Sequence, residues 1–260
     1  MNLEGSVIII TGSATGLGAA VAKRSASKGA RVVINYTKSE TEAQETASAC
    51  RELGVETLVC RADVSVDEDC RRMASEAVAK WGRIDGLVNN AGQSVFASSA
   101  DLEALSAEDF LRVYSVNVVG AYQMTRAVAP HLKTQGKGAI VNVSSVSSLT
   151  GAGSSIAYVA SKGALNSMTL SLARALAPEV RVNAVLPGLF HSRWWSEGLG
   201  EEGYRSLHNQ YVEAVPLKSA ATPESVADVV VWLLEAADHV TGETLMIDSG
   251  VHLLGFQPNN

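Results

Sequence analysis

The chain of 260 residues is 47% hydrophobic and 18% charged, with a net charge of −6 and a mean hydropathy of +0.11. That is ample material for a large core, and an acidic balance without any basic cluster excludes a nucleic-acid surface. No apolar run approaches a membrane span, Met1-Asn2-Leu3-Glu4 leads straight into a strand without a signal peptide, and Cys50, Cys60 and Cys70 fit neither a zinc site nor a closed disulfide set. A cytoplasmic protein with no membrane partner is expected, its thiols reduced.

In chain order, short apolar strands alternate with helical periods. Strands are predicted at 7–10, 31–35, 57–60, 84–88, 139–143, 180–185 and 244–247, and helices at 19–27, 41–53, 66–80, 109–130, 157–177 and 223–236. Such alternation means βαβ units with right-handed crossovers. The fold class is α/β: one doubly wound, Rossmann-type parallel sheet of about seven strands, helices on both faces, in a single domain spanning 1–260.

The first turn is chemically specific. After the strand at 7–10 comes Thr11-Gly12-Ser13-Ala14-Thr15-Gly16-Leu17-Gly18, then an alanine-rich helix. Glycines let a backbone approach a ligand, and a helix N-terminus offers unpaired N–H groups and a positive dipole end to phosphate. The spacing is G-x-x-x-G-x-G, not the commoner G-x-G-x-x-G, and no G-K-[ST] follows that would indicate ATP. A dinucleotide phosphate is the expected ligand.

The second strand bears on which dinucleotide. It ends Val33-Ile34-Asn35-Tyr36-Thr37-Lys38, so the acid that usually accepts from an NAD ribose is absent. Tyr36 stands in its place, and Lys38 is available to a 2′-phosphate, while Asn35 and Thr37 suit either cofactor. NADP(H) is therefore predicted as the favoured cofactor, with NAD(H) also usable.

The chemistry is concentrated at Tyr158-Val159-Ala160-Ser161-Lys162. Positions i and i+4 of a helix share a face, which stacks a phenol and an ammonium near one partner. Taken alone, such a pair is commonly just a solvated helix face. As a catalytic pair, the cation is expected to lower the phenol from about 10 toward neutrality, giving a general acid–base for a carbonyl or alcohol. Upstream, Ile140-Val141-Asn142-Val143-Ser144-Ser145 reads as a buried strand delivering Ser145 to its carboxyl end, with Ser144 as turn chemistry.

Together, Thr11-Gly-x-x-x-Gly-x-Gly18, Asn89-Asn90-Ala91-Gly92 and Tyr158-x-x-x-Lys162 resemble the short-chain dehydrogenase/reductase family, and most of all its 3-oxoacyl-carrier-protein reductases. The resemblance spans the chain and implies hydride transfer between NADP(H) and a small-molecule carbonyl or secondary alcohol. It implies that Tyr158 protonates the carbonyl oxygen, Lys162 lowers its pKa and binds the nicotinamide ribose, and Ser145 holds the substrate oxygen. Asn117 would help hold a water behind Lys162. It places the cofactor along Gly12, Ser13, Thr15, Gly16, Leu17, Gly18, Tyr36, Lys38, Asp63, Val64, Asn90, Ala91, Gly92, Tyr158, Lys162, Pro187, Gly188 and Ser192. Asn89 is read as a structural strand-end residue. Asp248-Ser249-Gly250 departs from the family's usual Asp-Gly-Gly.

An NAD-dependent steroid- or sugar-alcohol dehydrogenase and a non-catalytic dinucleotide sensor are the alternatives. The intact Asn117-Ser145-Tyr158-Lys162 set argues against the sensor. The family also implies a homotetramer. An apolar surplus on the helices at 109–130 and 157–177 (Val116, Val119, Met124, Leu165, Met168, Leu172) fits that.

The stretch 189–221 lacks a clear period and reads as a substrate loop. Trp194 and Trp195 in it either enclose an apolar substrate or pack on the loop's own core or a neighbouring subunit. No metal site is predicted.

Overall fold

The computed structural model describes residues 1–254, so the last six residues of the expected 1–260 unit lie outside the described residues. Seven strands form one parallel sheet: β1 (Val7–Ile10), β2 (Arg31–Tyr36), β3 (Thr57–Arg61), β4 (Gly86–Asn89), β5 (Gly138–Val143), β6 (Val180–Pro187) and β7 (Thr244–Ile247). Their order is β3-β2-β1-β4-β5-β6-β7, the doubly wound arrangement expected. The order reverses between β1 and β4. Loops leaving their carboxyl ends therefore diverge to opposite faces and open a crevice there.

The helices are α1 (Gly16–Ala26), α2 (Glu40–Glu52), α3 (Asp67–Trp81), α4 (Ala107–Tyr114), α5 (Ala121–Gln135), the single turn α6 (Ser147–Thr150), α7 (Ile156–Leu176), α8 (Arg193–Ala214) and α9 (Pro223–Glu235). Strand alternation divides the apolar residues between two cores. Ile8, Ile10, Val32 and Ile34 face Leu17, Ala43 and Val230 of α1, α2 and α9. Val7, Ile9 and Val33 face Met73, Met124 and Ala173 of α3, α5 and α7. Each fully buried branched side chain contributes about 1.5–3 kcal/mol, which is why these strands are β-branched on both faces.

Two elements differ from expectation. The helix expected over 109–130 is interrupted by a π-turn, Ser115–Gly120, between α4 and α5. Gly120 packs there against Val64: a Cβ on it would lie 2.7 Å from the Val64 methyl. A one-residue bulge leaves the apolar period nearly unchanged, so sequence does not reveal it.

The second correction is the stretch 189–221, which is largely helical. α8 occupies 193–214, bent where Gly200 leaves helical geometry at φ 72° and ψ 164°. Three glycines in eleven residues hide its helical pattern (Gly198, Gly200, Gly203).

Candidate active site

The glycine turn is welded to the end of β4. Thr11 Oγ1 accepts from the Asn90 and Ala91 N–H groups at 2.9 and 3.0 Å, and Asn90 Nδ2 donates to the Thr11 and Gly12 carbonyls at 2.9 and 3.0 Å. Gly18 closes the turn from the helix side. A Cβ there would strike the Gly12 carbonyl oxygen and sit 2.6 Å from Asn90 Nδ2. Gly12 and Gly16 both have positive φ (61° and 57°), the left-handed region open to glycine.

Thr15 is the N-cap of α1 but makes no side-chain cap, and the first turn holds no acid. The dipole end and its N–H groups are left to a ligand. The buried Ser192 Oγ has no hydrogen-bond partner, and it shares with Thr15 and Gly16 one end of a cleft whose far part, along α1 and α9, is lined by acids as well as by Lys23 and Arg24. These features fit a dinucleotide phosphate group.

Some sequence-predicted contacts are turned inward. Ser13 Oγ donates to the Ile10 carbonyl at 2.7 Å and accepts from the Asn35 N–H at 2.9 Å. The Asn35 side chain is not free for a cofactor. It accepts from the Gly12 N–H at 2.9 Å and donates to the Ala62 carbonyl at 2.9 Å, locking the glycine turn to β2 and β3.

Tyr36 ends β2, and its phenol, hydrogen-bonded to Glu40, is raised by desolvation and by that carboxylate. Lys38 is exposed two residues on. Asp63, also exposed, accepts from the Ser65 N–H and hydroxyl at 2.9 and 2.7 Å, while the Val64 carbonyl accepts from Gln123 Nε2 at 2.7 Å.

Asn117, Ser145, Tyr158 and Lys162 lie together at the carboxyl end of the sheet, and all four are buried. Ser155 caps α7 by accepting from the Tyr158 N–H at 3.2 Å, which fixes the helix phase that carries both Tyr158 and Lys162. Lys162 Nζ donates to the Val143 carbonyl at 2.8 Å and lies 5.5 Å from the Tyr158 ring centroid. Gly92 is close enough that a Cβ on it would lie 3.8 Å from Lys162 Nζ and 3.6 Å from Asn117 Oδ1. The Asn117 amide is fully engaged, accepting from the Gln93 N–H at 2.7 Å and donating to the Gln93 carbonyl and Ser161 Oγ at 2.9 Å each.

Ser145 Oγ donates to Ser147 Oγ at 3.0 Å and accepts from the Ser147 N–H at 3.2 Å. Asn89, as expected, is structural: its amide donates to Asn142 Oδ1 at 2.9 Å inside the core.

The electrostatics correct one expectation. Burial raises the Tyr158 phenol, and only the Ser145 hydroxyl pulls the other way. Burial also brings Lys162 down to about 8. Excluding water favours the neutral form of both groups, so the phenol is held protonated rather than lowered by the ammonium.

The roof over these residues joins the two tryptophans of the expected substrate loop to Phe96, which the sequence did not mark. Trp194 meets the Tyr158 ring edge-on with centroids 5.1 Å apart, and Phe96 meets Trp194 and Trp195 edge-on at 6.3 and 5.9 Å. Phe96 lies in the segment after Gly92, where no periodicity marked it. The two tryptophans therefore cover the site within this chain. Gly188, at the end of β6, has no room for a side chain, since a Cβ would strike the Tyr211 hydroxyl. A separate polar cleft of about 430 Å³, lined by Met1, Arg83 and Asp85 among others, lies at the amino ends of the strands and holds none of these residues.

The family model described as Enoyl-(Acyl carrier protein) reductase matches residues 12–252. This chain is a short-chain dehydrogenase/reductase. As a short-chain dehydrogenase/reductase it is an oxidoreductase acting on CH–OH and C=O groups, in a family that binds NAD(P)(H).

The protein named as ketoacyl reductase 2 of the granaticin polyketide synthase, from Streptomyces violaceoruber, is 40% identical over 96% of this chain and 98% of its own. A crystal structure of a short-chain dehydrogenase/reductase from Burkholderia xenovorans superposes with a TM-score of 0.90 at 38% identity, covering 96% of this chain and 98% of that one. The structure of NAD⁺-bound xylitol dehydrogenase gives a TM-score of 0.85 at 31% identity, covering 96% of this short-chain dehydrogenase/reductase and 100% of that chain. Among the described residues, no helix is long and apolar enough to cross a membrane.

Proposed function

We propose that this enzyme transfers a hydride between NADP(H) and a carbonyl or secondary alcohol, in the manner of a 3-oxoacyl reductase. The observation that carries the reading is the joint burial of Ser145, Tyr158 and Lys162 under an aromatic roof, beside a glycine turn with an uncapped helix end. Bound along that turn, the dinucleotide supplies or accepts the hydride. The backbone N–H groups at Thr15–Gly18 would hold its pyrophosphate, with Gly12 leaving room for it, Tyr36 and Lys38 would hold its adenosine ribose, and Asp63 and Val64 its adenine. Asn90, Ala91, Gly92, Pro187, Gly188 and Ser192 would flank its nicotinamide half.

Ser145 turns its hydroxyl proton from Ser147 to the substrate oxygen and positions it. Tyr158, kept protonated by burial, gives its proton to that oxygen in reduction and takes one back in oxidation. Lys162 uses one N–H on the Val143 carbonyl. Its remaining donors serve the nicotinamide ribose and the proton path that recharges the phenol. Asn117 acts by fixing the π-turn and the Gln93 backbone, its amide being engaged.

The helix 193–214 and its flanks enclose the substrate. Exposed apolar residues on α4, the π-turn, α5 and α7 (Leu111, Val119, Tyr122, Leu170) support a homotetramer. Of the six residues expected on that surface, Met124 and Leu165 are instead core. A cytoplasmic location completes the reading.

The experiment is steady-state reduction of a ketone panel with NADPH and NADH. Turnover with higher kcat/KM for NADPH is expected. Preference for NADH would overturn the cofactor assignment, and no turnover on any ketone would overturn the activity.

A further inference from the structure

The geometry points to a substrate with a bulky, apolar carbon skeleton, not a polyol. This rests on the reading that Ser145 and Tyr158 bind the reacting oxygen. A cavity of about 820 Å³ opens beside Ser145, between the 145–154 segment and α8. Cavities of roughly 300–1,000 Å³ bury most of a drug-sized ligand, so a five-carbon sugar would leave much of this one to water. Its far side is apolar, formed by Phe96, Leu189, Trp195, Leu199, Leu207 and Leu254, and none of the described residues lining it is charged. The roof is tight, because a Cβ on Gly198 would run into the Phe96 ring.

Apart from the exposed Ser98, whose Oγ accepts from the Ala100 N–H at 3.3 Å, the hydroxyls on the near side are already engaged. Ser154 Oγ pairs with Ser94 Oγ at 2.6 Å, Thr150 Oγ1 donates to the Val146 carbonyl at 3.3 Å, and Ser147 holds Ser145. Across the cavity, the Tyr211 hydroxyl donates to the Asp248 carbonyl at 2.6 Å. A polyol would bring several hydroxyls into a wall whose partners are taken, and each one buried unpaired lowers affinity about tenfold or more. One oxygen is provided for, at Ser145. The rest of the surface is mostly carbon.

The test compares reduction of trans-1-decalone, cyclohexanone and D-xylulose by the full chain. Decalone is expected to exceed xylulose in kcat/KM by at least about tenfold, with cyclohexanone between them. In Trp195→Ala the decalone-to-cyclohexanone ratio should fall at least about fivefold, and Trp195→Phe should recover part of it. Xylulose turned over as well as decalone, or a ratio unmoved by Trp195→Ala, would overturn the assignment.

If no ketone is reduced, the activity proposed above fails, and calorimetric binding then decides the cavity. Decalone binding that weakens in Trp195→Ala supports it, and binding of xylulose without decalone overturns it.

Discussion

The indole of Trp194 stands edge-on to the phenol ring of Tyr158, 5.1 Å between centroids and 69° between planes. An edge-to-face pair of this kind contributes about 0.5–1.5 kcal/mol beyond its buried area. It also keeps water off the phenol, whose pKa burial raises. In Trp194→Ala, water reaches Tyr158 and the phenol falls toward its ordinary value. The alkaline limb of the kcat–pH profile for ketone reduction should therefore move to lower pH. An unmoved limb would show that the roof does not set the acid.

Tyr158→Phe deletes a proton and almost no volume. Turnover should drop by roughly 10²–10⁴, with the dissociation constant for NADPH nearly unchanged. Near-parental rates would rule out Tyr158 as the acid.

Lys162 falls to about 8 from 10.5, so between those values the unfolded chain binds a proton that the folded chain does not. Stability therefore rises with pH across that window, by about 3 kcal/mol in all, and the penalty is fully present below pH 8. The raised Tyr158 acts in the opposite sense above pH 10. So do Cys50, Cys60 and Cys70 above pH 9, their thiols pushed up to about 11, 12 and 12. The readout is consequently the difference in Tm between the parent and Lys162→Met, followed from pH 8 to pH 10. That difference should move in the parent's favour as pH rises, and a constant difference would refute the depressed ammonium.

Ser249 adopts φ 55°, a left-handed conformation costing a non-glycine residue roughly 1–2 kcal/mol. The glycine that the family resemblance implies at this position would adopt that conformation without the cost. Allowing for glycine's greater freedom when unfolded, Ser249→Gly should stabilise by about 0.5–1 kcal/mol. For a chain of this size that is a rise in Tm of about 1–4 °C. A lower Tm would mean that the serine side chain compensates for its backbone.

At the end of β2, Tyr36 is bonded to Glu40, with Lys38 exposed between them. Lys38→Ala should cost NADPH about tenfold in kcat/KM and leave NADH little changed. Glu40→Gln should favour NADPH further, because it removes a negative charge near a 2′-phosphate. Unchanged NADPH-to-NADH ratios in both variants would place cofactor selection elsewhere.

Seven strands and the stacking of Tyr158 on Lys162 were legible because each depends on a local period, whereas Ser145 was placed by the end of a buried strand and by the family resemblance. Val182 and Val185 alternate faces within β6, and Tyr158 and Lys162 are one helical turn apart. α8 was not legible. Its Gly198, Gly200 and Gly203 lower helix propensity, and its tryptophans find their partners far off in sequence, at Phe96 and Tyr158. The raised phenol was hidden for the same reason. Its cause is desolvation by distant segments, while sequence spacing displayed only the nearby ammonium. Asn35 reads as solvent-facing at a strand end until the glycine turn folds over it.

The amides of Asn89 and Asn142 face each other across β4 and β5, and Asn142 continues to Thr169 Oγ1 at 2.9 Å. Most neighbouring side chains in these strands are aliphatic and interchangeable, so they would tolerate a slip of one residue between strands. The amides would not. In a slipped pairing Asn89 would meet Val141 or Val143, stranding two polar groups in an apolar layer at about 1–3 kcal/mol each. The polar seam thus serves as a proofreading mark for sheet assembly, and its loss should be felt in refolding yield sooner than in turnover.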